Sequence, residues 1–358
     1  MIAAVESKSD RSPYDGVGIE SVTLSIIIST YNAREILADC LQSIYENPPS
    51  LVYEIIVVDD ASTDDTSGMV RERFPSVRLL RNEVNRHYAS SNNRAIDHAC
   101  GQYLYLLNND TIMLPHALDQ MVEFLREHPD VGAVGSMLLN GDGTIQWSVK
   151  SLPGLGAALF GARSLFTRMF PNNRFSRKHL LHLKRNLTEP FIAGYVSSAS
   201  VMMPRKVVAD VGELDRRLSY HVDADYCKRI ADAGYSTYYL PAAKVIHLDH
   251  KGGTMVDSRR RFRSLVEFHG GSYIYYRKHI QRSPWSAMQV VVIVGLFSRF
   301  VVSTAAQIIS ELVGSRSHSR IDRTGGAAVV STEGQRCDVD RGHSCSTSPQ
   351  PSQSSITE

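Results

Sequence analysis

QYLYLLNNDT, Gln102 to Thr111, sets an apolar run directly against a polar tip. Tyr103 to Leu107 predicts a buried central strand of an α/β sheet, ended by Asn108, Asn109 and Asp110. Ligands of such sheets gather beyond the carboxyl ends of the strands. A carboxylate with amide neighbours there can hold a hard divalent cation, which can in turn hold phosphates. The plainer reading of the same residues is a strand followed by an Asn/Asp turn.

Upstream, Leu24 to Ile28 is apolar and β-branched, as expected of a buried parallel strand. It runs into Thr30, Tyr31 and Asn32, a turn that offers hydroxyls and backbone donors to a ligand. Asn32 with Glu35 fits a capping box, and Ile36, Leu37, Cys40, Leu41 and Ile44 repeat at helical spacing behind it. The turn has no GxGxxG, which argues against dinucleotide binding. Glu54 to Val58 predicts a second strand, ending in DDASTDDT. Asp64 to Thr66 read as helix caps. Asp59 and Asp60 come too early for that, and as acceptor-only carboxylates they suit the imide or amino hydrogens of a nucleobase. Val77 to Leu80 predicts a third strand. Asn92, Asn93 and Arg94 then open or line a helix, as ordinary cap residues or as ligands of a pyrophosphate.

Composition narrows the function classes. The chain has 358 residues and a formal charge of +2, which argues against a broad nucleic-acid footprint. Five cysteines without CxxC pairing predict reduced thiols, no sequence-level zinc site and a cytoplasmic setting. The N-terminus lacks the basic and then apolar run of a signal peptide.

Downstream, Val131 to Gly135 predicts a strand, Asp142 to Ile145 a turn, and Phe191 to Met203 a further strand. Pro115 is expected to start a helix over Ala117 to His128, and Pro204-Arg205 one that ends near Gly212. Ala162 to Asn186 is basic, either an acceptor flap facing lipid phosphate or a solvated helix. In HVDADYCKRIADAGY, Asp223 and Asp225 lie two apart at a predicted helix start and so point in different directions, free to hold different jobs. Tyr235 to Leu240 and Ala243 to Ile246 read as two short strands running into His247.

The blocks SIIISTYNAREILADCLQSI, EIIVVDDASTDDT, NNRAIDHACGQYLYLLNNDT and HVDADYCKRIADAGY, in this order, resemble the inverting GT-A-fold glycosyltransferases of family 2, in their rhamnosyl- and galactofuranosyl-transferase branch. The resemblance runs from Val22 to about His250 and continues more weakly to about Ile280. It implies a Rossmann-like mixed sheet flanked by helices, and a nucleoside-diphosphate sugar donor, dTDP- or UDP-linked. It places Mg²⁺ or Mn²⁺ at the Asn108-Asn109-Asp110 tip, with Asp110 and His247 as ligands and Asn109 beside the donor. Thr30, Tyr31 and Asn32 would line the nucleotide pocket, Asp59 or Asp60 would meet the base, Asn93 and Arg94 the diphosphate, and Asp223 would be the catalytic base. Rhamnose moved to a lipid-linked or polysaccharide acceptor is the implied reaction. Val222 departs from the pattern, which has an acid there, and His87 and Ala95 stand where it has glycines. The competing functions are a sugar nucleotidyltransferase, disfavoured by the lack of a Gly-rich basic loop after the first strand, and a non-catalytic scaffold of the same fold.

The expected organisation is a loose arm over 1–21, the transferase domain over 22–255, C-terminal helices over 256–313 and a disordered tail over 314–358. Asp257 to Ile280 is helical in pattern, with Gly270-Gly271 as an interruption. Val290 to Ile309 would span roughly 30 Å as a helix. Arg299 at its middle costs on the order of 2.5–3.5 kcal/mol for insertion. With Ser303, Gln307 and Ser310 it forms a polar stripe that suits a helix lying in the cytoplasmic membrane surface, ahead of a partner-facing helix or a true span.

Overall fold

The computed structural model describes residues 22–154, 187–249, 258–281 and 286–324. The predicted arm, the basic stretch Ala162 to Asn186 and residues 325–358 of the expected tail lie outside them, while 314–324, expected to be disordered, are helical. By compactness the chain divides into Met1–Gln307 and Ile308–Glu358, and the described part of the second is the end of one long helix.

The first half alternates strand and helix: β1 (Leu24–Thr30), α1 (Arg34–Glu46), β2 (Tyr53–Asp59), α2 (Thr66–Arg73), β3 (Arg78–Arg81), α3 (His87–His98) and β4 (Tyr103–Asn108). After the tip come β5 (Thr111–Met113), α4 (Ala117–Glu127) and β6 (Val131–Leu139). Three short strands follow, β7 (Val149–Lys150), β8 (Phe191–Ile192) and β9 (Tyr195–Val196). Then come β10 (Ser200–Pro204), α5 (Arg205–Val211), α6 (Val222–Asp232), β11 (Ser236–His247), α7 (Ser258–His279) and α8 (Ala287–Thr324).

Among the described residues the main sheet runs β3-β2-β1-β4-β10-β6-β11-β5, with β8 added to β11. β1, β2, β3 and β4 are mutually parallel, β10 is antiparallel to both β4 and β6, and β11 is parallel to β6. Hence β1, β2, β4, β6 and β11 all end on the same edge. Alternation explains the unbroken apolar runs. Ile26 and Ile28 face the core under α1, α2 and α4, while Ile27, one residue on, faces the core shared with α3, α5 and α6.

Several local expectations change. Helix α1 begins at Arg34 without a side-chain cap, because Asn32 spends its amide on the neighbouring turn. The Tyr235 to Ile246 region is one long strand, carried past Pro241 by an irregularity between Leu240 and Lys244. Phe191 to Met203 is three short strands instead of one. Gly270 and Gly271 do not interrupt α7.

Among the described residues no helix is long and apolar enough to cross a membrane. Tyr276 of α7 packs on Val292 and Leu296 of α8, and Arg299 lies over the Phe268 ring at 5.1 Å. Arg299 therefore turns inward to α7. The outward side carries Val290, Val294, Phe297 and Val301, all exposed and spaced along one helical face.

Candidate active site

The tip of β4 is assembled by the sheet. Asn109 Nδ2 donates to Thr30 Oγ1 at 2.9 Å, which ties the tip to the end of β1. The β5–β11 pairing sets His247 opposite Thr111, and Leu248 N–H donates to the Asp110 carbonyl at 2.9 Å. Asp110 Oδ1 and His247 Nε2 are brought to 3.3 Å, both largely buried.

Gln146 decides what that contact means. Its Nε2 donates to the His247 carbonyl at 2.6 Å, leaving Oε1 to accept from His247 Nδ1 at 3.0 Å. The ring is thereby oriented with Nε2 toward a carboxylate oxygen. Asn108 Nδ2, 3.4 Å away, adds a donor to the same nitrogen. A carboxylate beside an oriented imidazole is a fitting donor set for a divalent metal. Among the described residues no three His, Cys, Asp or Glu side chains cluster as a closed cage. Such a metal would take its remaining ligands from water and phosphate.

The β1 and β2 turns are zipped together. Asp60 N–H donates to the Thr30 carbonyl at 2.8 Å, Asn32 Oδ1 accepts from Thr63 N–H at 2.7 Å, and Arg34 N–H donates to Asp64 Oδ2 at 3.0 Å. Asp64 also accepts from Thr66, and those bonds hold its carboxyl below the ordinary value. Asp59 accepts from Ser62 N–H and Ser67 Oγ and faces Arg81. Asp60 accepts from Asn82 Nδ2 and the N–H groups of Arg86 and His87. Only 0% and 4% of their surfaces are exposed, so both carboxylates are committed to holding the turn. Tyr31, 40% exposed, projects outward from this platform.

Asn93 and Arg94 line a helix and do not open it. Helix α3 begins at His87, so both sit within it. Asn93 clasps Leu214, giving to its carbonyl and taking from its N–H, both at 2.9 Å. Arg94 donates to the Arg81 carbonyl and Asn82 Oδ1. Asn92 keeps the open valence: its Nδ2 reaches Ser29 Oγ at 3.1 Å, while its Oδ1 is buried without a partner.

Asp223 stands in the first turn of α6, at its N-terminus. Because α6 leads directly into β11, that turn lies toward the carboxyl edge of the sheet. Asp223 borders a small pocket lined by Val196, Ser198, Val201, Leu214 and Tyr226. Tyr88 OH donates to the Ser198 carbonyl, and Asn108 N–H donates to the Ala199 carbonyl, which links the pocket to the tip of β4. Burial pushes the Asp223 carboxyl above its ordinary value, while Lys150 pulls the other way. Asp225 points elsewhere, to Arg229 and to Lys278 and His279 of α7. Val222, 4% exposed, completes the apolar lining, an environment that would penalise the usual acid. Gln146 and Lys150 carry no distinguishing pattern in the sequence; Gln146 meets its partner 101 residues away.

Comparison with known proteins follows this geometry. The family model of "Glycosyl transferase family 2" matches residues 25–212, more than half of the chain. An N-acetylglucosaminyl-diphospho-decaprenol L-rhamnosyltransferase of Mycobacterium tuberculosis is 25% identical over 70% of this chain and 83% of its own. A dolichol-phosphate mannosyltransferase of Pyrococcus furiosus is 30% identical over 40% of this chain and 41% of its own. Among solved structures, the mannosyltransferase PcManGT of Pyrobaculum calidifontis, in complex with GDP-Man and Mn²⁺, is 17% identical, covers 85% of this chain and 79% of its own, and superposes with a TM-score of 0.50. With its mostly parallel sheet between helical layers, the chain belongs to glycosyltransferase family 2 and is a glycosyltransferase of the GT-A fold.

Proposed function

We propose that the protein transfers a sugar, with inversion, from a nucleoside diphosphate to an acceptor hydroxyl, and that the transfer depends on Mg²⁺ or Mn²⁺. The observation that carries this reading is the Asp110–His247 pair, a carboxylate and an oriented imidazole 3.3 Å apart at the tip of the central strand. These two residues would hold the cation, which when bound neutralises the departing diphosphate. Asn109 and Thr30 order the tip, and the zipped turns around Tyr31 and Asn32 receive the nucleotide. Asn92 Oδ1 offers an acceptor to the same cleft.

Asp223 takes the proton from the attacking hydroxyl. Its raised pKa brings it closer to the operating pH, which makes it a better base. One base without a partner nucleophile gives a single displacement, and hence inversion. Rhamnose from a dTDP donor is the favoured sugar, supported by the name of the mycobacterial relative, which also points to a lipid-diphosphate acceptor. The exposed apolar face of α8 supports a peripheral seat on the cytoplasmic face of the membrane, where such an acceptor resides.

A thermal-shift panel tests the donor and the metal together. dTDP-rhamnose, UDP-sugars and GDP-mannose are compared in Mn²⁺ and in EDTA. The reading predicts stabilisation by dTDP-rhamnose in Mn²⁺ only. No shift with any sugar nucleotide, or equal shifts in EDTA, would contradict it.

A further inference from the structure

Helix α7 grips the segment Tyr220 to Asp225 at both ends. At one end Gly271 lies so close to the Tyr220 carbonyl that a Cβ would come within 2.7 Å of its oxygen. Ser272 Oγ is 2.8 Å from His221 Nε2, and the Phe268 ring lies 4.9 Å from that imidazole. His221 has φ 65°, a left-handed backbone that a histidine keeps only under constraint. At the other end Lys278 Nζ and His279 Nε2 lie 2.8 and 2.7 Å from Asp225 Oδ1.

Neutralising Asp225 does not require all of these partners. Its side chain is 1% exposed, and Arg229 of the same helix already covers Oδ2 at 3.0 Å. The two groups added by α7 therefore tie a distant segment to this turn. Lys278 also reaches Asp215 at 2.9 Å, next to the Leu214 that Asn93 clasps. Between the two grips sits Asp223, whose Oδ1 accepts from Ala224 N–H at 2.8 Å and so moves with the backbone of the turn.

We propose that Ser272, Lys278 and His279 are positioning residues: α7 mounts the first turn of α6 so that the Asp223 carboxylate is aimed at the acceptor. The proposal rests on the reading of Asp223 as the base. It makes α7, which lies outside the residues 25–212 matched by the family model, a working part of the catalytic unit.

The test uses the full chain with Lys278→Met, Ser272→Ala and the conservative Lys278→Arg. Hydrogen exchange of a peptide covering residues 220–226 should quicken at least tenfold in Lys278→Met and Ser272→Ala, with peptides from β1 and β4 unchanged. With dTDP-rhamnose and Mn²⁺, kcat should fall at least tenfold in both at a donor KM within twofold of the wild type, and Lys278→Arg should recover most of the loss. Unchanged exchange at 220–226 overturns the proposal, as does a loss in which donor KM and exchange across the whole sheet rise together. If the wild type turns over no dTDP-rhamnose, the donor assignment fails separately, and the exchange of the 220–226 peptide alone decides.

Discussion

At the scale of the residue, the left-handed positions are informative. His87, where the family pattern has glycine, has φ 64° and is held there by its N–H to Asp60 Oδ2 at 2.8 Å. A side chain in that region costs about 1–2 kcal/mol, partly offset by the entropy a glycine loses on folding. His87→Gly should therefore stabilise the protein by about 1 kcal/mol, read as a higher denaturation midpoint at unchanged slope. Ala95 differs: it is fully buried inside α3, where a methyl group fits without strain. Asp223 gives a second residue-level prediction. An ordinary aspartate titrates near 3.8, and burial raises this one, so the acid limb of the kcat/KM profile should lie above that value. A limb at or below it would place the base elsewhere.

At the scale of the element, the loop after α5 is an acid-sensitive joint. Asp215 pairs with Arg217 at 2.7 Å and with Lys278 at 2.9 Å, and these partners hold its carboxyl far below the usual range. A carboxyl depressed in the folded state contributes stability that is complete above its unfolded pKa and is lost as pH falls through the folded one. Asp215→Asn should thus be less stable than the wild type at pH 7, with the gap narrowing as pH falls below about 4. A denaturant series at several pH values checks this. The same loop shows what the sequence could and could not reveal. Strands β1, β2 and β4 were legible because apolar runs ending in turn formers have few other outcomes, and the motif singled out Asp110 and His247, which the fold brings together. The clasp of Asn93 on Leu214 was not legible, because that partner is 121 residues distant and no local pattern announces it. The start of α3 was left open because a histidine at positive φ gives no capping signature. Gln146 was missed for the same reason as Asn93: its role exists only once β11 is folded.

At the scale of the whole molecule, the proposed catalytic residues and the exposed apolar face of α8 belong to one unit, Met1–Gln307. The outward side of α8, with Val290, Val294, Phe297 and Val301 exposed, predicts co-sedimentation with phosphatidylglycerol vesicles. Burying a phenylalanine contributes about 1.5–3 kcal/mol, so Phe297→Ser should weaken vesicle binding roughly tenfold or more. The central claim is that a cation site at Asp110 and His247 and a lone base at Asp223 serve the same reaction. It is tested most directly by Asp223→Asn, assayed in parallel for transfer and for Mn²⁺-dependent binding of the donor. The account predicts transfer reduced by at least a thousandfold with donor binding preserved; full transfer by this variant would contradict it.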